Sequence, residues 1–262
     1  MGSWRRRNHL NESDKLLKKD FDKYEIIVPL GDIHLGYGTV NMVKVQKVIE
    51  FIKENNAKWI GMGDLIDNTP PIHRYFDMKN VTMTPQEQVI NIVNLLKPIK
   101  DNCLGLLYGN HEIRSIEYKT GYDPIIQMEE MLGLEKRGLG SQTFFNINAG
   151  VCKYSVFATH GSTRGIFFST RKGYKINKLL SLHNLAIADL YLMGHLHDTE
   201  WTTANYLVGE KEISTSYFVM TGAFVEYFGS YGERYGYNPV ETGCNVIFLG
   251  KKRKRIIIER LV

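Results

Sequence analysis

The sequence predicts an α/β protein with two sheets, on three observations. Short apolar runs that stop at glycine-containing turns alternate with segments whose apolar residues recur every three to four positions. From Phe144 onward strand-like runs dominate, which adds a second sheet packed on the first. A chain of 262 residues, 43% hydrophobic and 23% charged, is also long enough and ordinary enough in composition to bury a sizeable core.

The elements follow in order. Residues 1–23 form a basic and polar N-terminal segment (Arg5, Arg6, Arg7, then polar and charged residues to Asp22), and 24–262 are expected to form a single domain. Glu25–Leu30 is a strand that stops at Gly31. Val45, Val48, Ile49 and Ile52 then share one helical face. Lys58–Met62 is a second strand, ending at Gly63-Asp64. Thr84-Pro85-Gln86-Glu87 opens a helix with a capping threonine, a proline at the first helical position and a glutamate that completes a capping box. Val89, Ile92, Val93 and Leu96 give that helix its apolar face. Cys103–Tyr108 is a third strand, and Asp123-Pro124 starts a further helix through Met131. Phe144–Asn148 and Val151–Ala158 form a hairpin around Ala149-Gly150. A helix around Ile176–Leu185 leads to the strand Leu190–Met193. Ile213–Thr221, Asn245–Leu249 and Lys254–Glu259 complete the strands, the last two joined by the basic turn Lys251–Arg255.

Composition excludes several classes. No apolar run approaches the ~18–20 residues of a membrane helix. No apolar stretch follows Arg5–Arg7, so no secretory signal is expected. Three scattered cysteines (Cys103, Cys152, Cys244) argue against a disulfide framework and for a reducing compartment, the cytoplasm. The net charge of +5 resides at two places: without Arg5–Arg7 and Lys251–Arg255, 25 basic residues face 28 acidic ones. Such basic patches attract phosphate backbones or simply stay solvated.

One regularity carries chemistry. Five expected strands each end in residues of metal-ligand type: Asp32-Ile33-His34, Gly63-Asp64-Leu65-Ile66-Asp67, Gly109-Asn110-His111-Glu112, Thr159-His160-Gly161 and Gly194-His195-Leu196-His197. In open α/β sheets, sites form beyond the carboxyl ends of the strands. The successive spacings from Asp32 to Asp64, Asn110, His160 and His195 are 32, 46, 50 and 35 residues, each room for a crossover, so all five can meet at one edge. A lone D-x-H or H-x-H is more often a turn or a satisfied core histidine. Five in order, each after a strand, reverse that judgement. Mixed oxygen and nitrogen ligands suit Mn, Fe or Zn, and the set is too large for one tetrahedral ion and about right for two. His9, His73 and His183 lie outside the clusters.

The ordered set D-x-H, G-D-x-x-D, G-N-H-E, H-G, G-H-x-H resembles the calcineurin-like metallophosphoesterase superfamily, from about Tyr24 to His197. The resemblance implies a four-layer α/β/β/α sandwich with a metal site at the strand ends. It implies that Asp32, His34 and His197 hold one ion, that Asn110, His160 and His195 hold a second, and that Asp64 bridges them. His111 would contact the phosphate and protonate the leaving group, and Asp67 and Glu112 would orient the ligands. Two divalent ions are expected, Mn²⁺ favoured, with Fe, Zn or Ni as alternatives.

The first motif resembles that of DNA double-strand-break repair exonucleases. G-N-H-E instead resembles phosphoprotein phosphatases, which usually carry an arginine where this chain has Asn68. Only 65 residues follow His197, short for the capping domain of a repair nuclease, so the chain looks like the compact stand-alone members of bacteria and their phages. Two loops offer substrate contacts: Gly161–Lys175, with Arg164, Arg171, Lys172 and Lys175, and Tyr227–Tyr237, with Tyr231, Arg234 and Tyr235 among five aromatics and three glycines. Aromatics interleaved with cations suit base stacking and phosphate contact. The expected reaction is therefore hydrolysis of a phosphodiester in nucleic acid or a nucleotide, by in-line attack of a metal-bound hydroxide with His111 as general acid. Phosphomonoesters and cyclic nucleotides are the alternatives among substrates. A non-catalytic metal-binding interaction platform is the alternative of another class. No membrane partner is expected, and a homo-oligomer is allowed.

Overall fold

The computed structural model describes residues 21–73, 76–117, 121–134, 138–161 and 179–262. Its elements in chain order are β1 (Tyr24–Leu30), α1 (Met42–Glu54), β2 (Lys58–Gly61), α2 (Pro85–Leu96), β3 (Cys103–Leu106), α3 (Asn110–Glu117), α4 (Pro124–Leu132), β4 (Gln142–Ala149), β5 (Cys152–Thr159), β6 (Leu190–Met193), β7 (Trp201–Leu207), β8 (Ile213–Met220), β9 (Gly222–Ala223), the single turn α5 (Tyr231–Arg234), β10 (Gly243–Gly250) and β11 (Ile256–Leu261). Short 3₁₀ turns lie at Phe21–Lys23, Lys97–Asn102 and Ser181–Asn184. The helix expected around Ile176–Leu185 falls partly outside the described residues.

Two sheets form. The first has the order β11-β10-β1-β2-β3, with β9 on β10, and the second β4-β5-β6-β8-β7. Parallel pairs run through β1-β2-β3 to one edge of the first sheet and through β5-β6-β8 at the centre of the second. Alternation sorts the strand side chains into layers. Ile26, Val28 and Leu30 of β1 face Val45, Val48, Ile52, Val89, Ile92 and Ile125 of the helices. Ile27, Ile60 and Met62 face Tyr154, Val156, Leu190 and Leu192 of the opposite sheet. Phe157, Tyr191 and Phe218 turn the other way, toward Leu179 and Leu182. Among the described residues this is the four-layer order of helices, sheet, sheet and helical segment.

Local chemistry explains the boundaries that matter for the site. At α2 the capping box forms as expected: the Thr84 hydroxyl accepts from the Glu87 amide, and the Glu87 carboxylate accepts from the Thr84 amide at 2.8 Å. At α4 the Asp123 carboxylate accepts from the amides of Ile125 and Ile126, and Gly133 ends the helix at φ +66°. The parallel registers bring strand ends level, Leu30 beside Gly61 and Thr159 beside Met193. Pairing then runs past the strands, with Asp32 N donating to Gly63 O and His34 N to Asp64 O, each at 2.9 Å. The turns after β1, β2, β5 and β6 are thereby set side by side.

Candidate metal centre

The candidate ligands occupy the turns after β1, β2, β5 and β6 and the first turn of α3. Their backbone is strained. Of eight non-glycine residues with positive φ among those described, six lie here: Asp32 (48°), His34 (53°), Asp64 (50°), Asn68 (41°), His195 (66°) and His197 (51°). A left-handed conformation costs roughly 1–2 kcal/mol for a residue with a side chain, and such strain concentrates at functional sites. Surrounding hydrogen bonds hold it. The Asp32 carboxylate accepts from the His195 amide at 3.0 Å, and the Asp64 carboxylate from the His111 amide at 2.8 Å. Glycine is required where the turns touch: a Cβ on Gly109 would lie 2.1 Å from Asp64 Oδ1, and one on Gly194 2.8 Å from Asp32 Oδ2.

Two groups of ligand atoms converge, each within 4.8 Å. In the first, His197 Nε2 lies 3.2 Å from Asp32 Oδ1 and 3.1 Å from His34 Nε2. The second joins Asp64, His160 and His195, with His160 Nε2 3.3 Å from Asp64 Oδ2 and 3.0 Å from Asn110 Oδ1. Asp64 also faces the first group, its Oδ2 3.8 Å from His34 Nε2. His34, Asp64 and His111 make a third grouping, in which His111 Nε2 lies 3.7 Å from Asp64 Oδ2.

These residues fit a cation. His195 Nε2 is buried without a hydrogen-bond partner, and His34 Nε2 and His197 Nε2 face each other at 3.1 Å. A cation in each group would take up these nitrogens, His195 in one and His34 with His197 in the other. Burial, then the neighbouring His111, holds His34 well below the ordinary histidine value. Burial and His160 bring His195 down to about 4. Neutral imidazole is the form that ligates a metal. On His160 burial opposes the charge, but the Asp64 carboxylate, with Asp32 behind it, outweighs this and carries the ring up to about 10. Burial likewise works against ionised Asp64, yet His111, His160 and His34 together hold it well below the usual carboxylate range.

The supporting residues divide clearly. Fully buried Glu112 accepts from four backbone amides: Asp64 at 2.9 Å, Leu65 at 2.8 Å, Ile66 at 3.3 Å and Gly109 at 3.0 Å. It locks the Asp64 turn to the start of α3. Burial and the Asp64 carboxylate push it up to about 7. Removing it strands several buried donors at about 1–3 kcal/mol each. Glu112→Ala is therefore expected to lower unfolding stability by at least about 3 kcal/mol in urea titration; a loss under about 1 kcal/mol would show the amides find other partners. Asp67, pushed up to about 6 by burial, lies with its Oδ1 3.5 Å from His111 Nδ1.

Around His111 the structure adds residues that sequence reasoning missed. His111 Nδ1 donates to the Asp67 carbonyl, and the Arg114 guanidinium lies against the ring, its Nη2 3.0 Å from Nε2. Arg114 is held by Thr69 Oγ1 at 2.7 Å. Burial, with Arg114 adding to it, lowers His111 to about 3. Asn68 is buried, its amide nitrogen donating to His111 O at 2.7 Å and Ser115 Oγ at 2.8 Å, while Gln88 Oε1 receives the Asn68 amide. The helical spacing of Arg114 from His111 was the available signal, but it requires knowing that a helix begins at Asn110.

The loop residues expected at the substrate have other neighbours. The Tyr231 hydroxyl lies 3.0 Å from His197 Nδ1, so it meets a candidate ligand instead of presenting its polar end to a base. Arg234 is ion-paired with Asp77, which takes up its charge. Tyr235 is half exposed at 50%. Arg164 and Arg171, with Lys172 and Lys175, lie outside the described residues. The Lys251–Arg255 run forms the turn between β10 and β11, as expected, and there Lys254 pairs with Asp189 at 2.7 Å.

No family model matches the chain, and no curated protein matches it. Several solved structures do resemble it. Vacuolar Protein Sorting 29 from Cryptosporidium parvum is similar at 11% identity and a TM-score of 0.46, over 91% of this chain and 98% of that one. A metallophosphoesterase from Sphaerobacter thermophilus is similar at 15% identity and a TM-score of 0.43, over 90% and 88%. Wild-type Vps29 from Entamoeba histolytica, complexed with zinc, is similar at 14% identity and a TM-score of 0.39, over 90% and 98%. No helix among the described residues is long and apolar enough to cross a membrane.

Proposed function

We propose that this chain is a dinuclear metal-dependent phosphoesterase of the calcineurin-like kind, acting on phosphodiesters of nucleic acid or nucleotides. The observation that carries this is the position of Asp64, whose Oδ2 faces His34 on one side and His160 on the other. A carboxylate between two nitrogen-bearing groups is the arrangement that holds a pair of ions ~3.5–4 Å apart. Asp32, His34 and His197 would hold one ion and Asn110, His160 and His195 the other, with Asp64 common to both. Mn²⁺ suits this mixture of oxygen and nitrogen best, with Fe, Zn or Ni as alternatives. When bound, such a pair neutralises phosphate oxygens and supplies a nucleophile at neutral pH.

The chain's own residues do the remainder. The His111 side chain is 13% exposed, with Nε2 3.7 Å from Asp64 Oδ2, where it can hand a proton to the leaving oxygen. An anionic phosphate beside the ring favours the imidazolium that burial and Arg114 oppose. Glu112 fixes the Asp64 turn, and Asp67 fixes the His111 ring through its carbonyl. One feature supports a diester. Phe228, Tyr235 and Tyr237, exposed at 77%, 50% and 48%, provide faces on which bases stack. The free cysteines, two of them buried, fit a reducing compartment, the cytoplasm.

The test is a substrate panel on protein stripped by chelator and reloaded with Mn²⁺. It sets chromogenic mono- and diesters beside single-stranded DNA, duplex DNA, RNA and cyclic nucleotides. Metal-dependent hydrolysis with diesters ahead is expected. Faster turnover of monoesters would move the substrate class, and no hydrolysis of any ester by the loaded protein would leave a binding platform.

A further inference from the structure

We infer that Tyr231 is a positioning residue that fixes the ring of His197, and that the clasp carrying it sets how tightly the ion on the Asp32–His34–His197 side is held. This rests on the metal reading above and goes beyond it, because it makes a remote loop part of the centre. A histidine that ligates through Nε2 carries its proton on Nδ1, and that N–H needs an acceptor. His160 has one: its Nδ1 lies 2.8 Å from the Met62 carbonyl oxygen. For His197 the corresponding atom is the phenol oxygen of Tyr231, 3.0 Å from Nδ1, with the two rings at 68°.

The difference between the two acceptors lies in where they are anchored. Met62 directly follows β2 in the core, whereas Tyr231 belongs to an outer loop held by side chains. Tyr231 N donates to Tyr37 Oη at 3.1 Å. Asn80 Nδ2 reaches both Tyr37 Oη and Gly229 O at 3.2 Å. Arg234 pairs with Asp77, and Ser230 caps the turn, its hydroxyl accepting from Gly232 N at 3.1 Å. Residues 77–80 and 229–234 therefore close on Tyr37 and seat the phenol against His197. The same loop carries exposed Phe228, Tyr235 and Tyr237, so a substrate that moves them acts on the acceptor of a metal ligand.

The test uses Tyr231→Phe, which removes the oxygen and keeps the ring. The full chain, wild type and variant, is titrated with Mn²⁺ by calorimetry. Long-range ¹H–¹⁵N spectra of the chelated proteins report the His197 tautomer, and urea titration reports their stability. Wild type is expected to bind two ions per chain. The variant is expected to keep one equivalent and to weaken the other by about 10–100-fold, with His197 losing its fixed Nδ1–H tautomer and chelated stability nearly unchanged. Equal affinities for both ions in the two proteins would overturn the inference. So would weaker binding with the tautomer unchanged, since folding would then be the cause. A wild type that binds fewer than two ions would end the metal reading itself, a result distinct from failure of Tyr231 alone.

Discussion

Asp64→Ala is expected to take bound metal from two ions per chain to fewer than one, because Asp64 belongs to the His160–His195 group and also faces His34 of the other, the place of the proposed bridge. Its Oδ2 lies 3.3 Å from His160 Nε2 and 3.8 Å from His34 Nε2, and no other carboxylate among the described groupings of ligand atoms belongs to more than one. Without it, the His160–His195 side keeps no carboxylate and the His34–His197 side keeps only Asp32, little charge to balance two divalent ions. Hydrolysis should fall by more than about 10³-fold, beyond the 10²–10³ typical of losing a single transition-state donor. Elemental analysis after dialysis checks the first number. Two ions retained per chain would show that Asp64 does not bridge. The substitution also frees the His111 amide, which donates to Asp64 Oδ1 at 2.8 Å, so the variant should be somewhat less stable as well.

His111→Ala should behave in the opposite manner, keeping both ions while turnover collapses. Removing a positioned acid is typically worth ~10²–10⁴-fold. The loss should appear on an alkyl or nucleoside ester, whose leaving oxygen needs a proton, and shrink on a nitrophenyl ester, whose leaving group does not. An unchanged kcat on the poor leaving group would discard the role. Loss of metal instead would make His111 a ligand, which its place in the third grouping with His34 and Asp64 makes a real alternative outcome. The two variants together separate holding the ions from using them.

Much of this was legible in the residues because the signals are local. Thr84 and Glu87 mark the start of α2 through contacts within three residues, and Asp123 does the same for α4. The candidate ligands were legible for a different reason. Parallel strands deliver their carboxyl ends to one edge, so residues 163 positions apart, such as His34 and His197, meet without any sequence signal between them. β7 escaped notice because Trp201–Leu207 lies at a sheet edge and alternates between exposed and half-buried positions, with no fully buried residue to give it an apolar rhythm. α3 escaped because it begins on Asn110, a candidate ligand itself, and it took Arg114 out of sight with it. The role of Tyr231 depends on how an irregular loop closes, and side-chain bonds to Tyr37 and Asp77 decide that.

The contacts of Asp32 and His160 have a consequence beyond catalysis. Asp32 follows a strand of one sheet and receives the amide of His195 from the other, and His160 reaches back to Met62 in the reverse direction. The groups that would grip cations are thus also the stitches along the open seam of the sandwich. A substitution of Asp32 or His160 that disarms the chemistry therefore also loosens that seam, so an inactive variant at either position informs on mechanism once its fold has been measured alongside it.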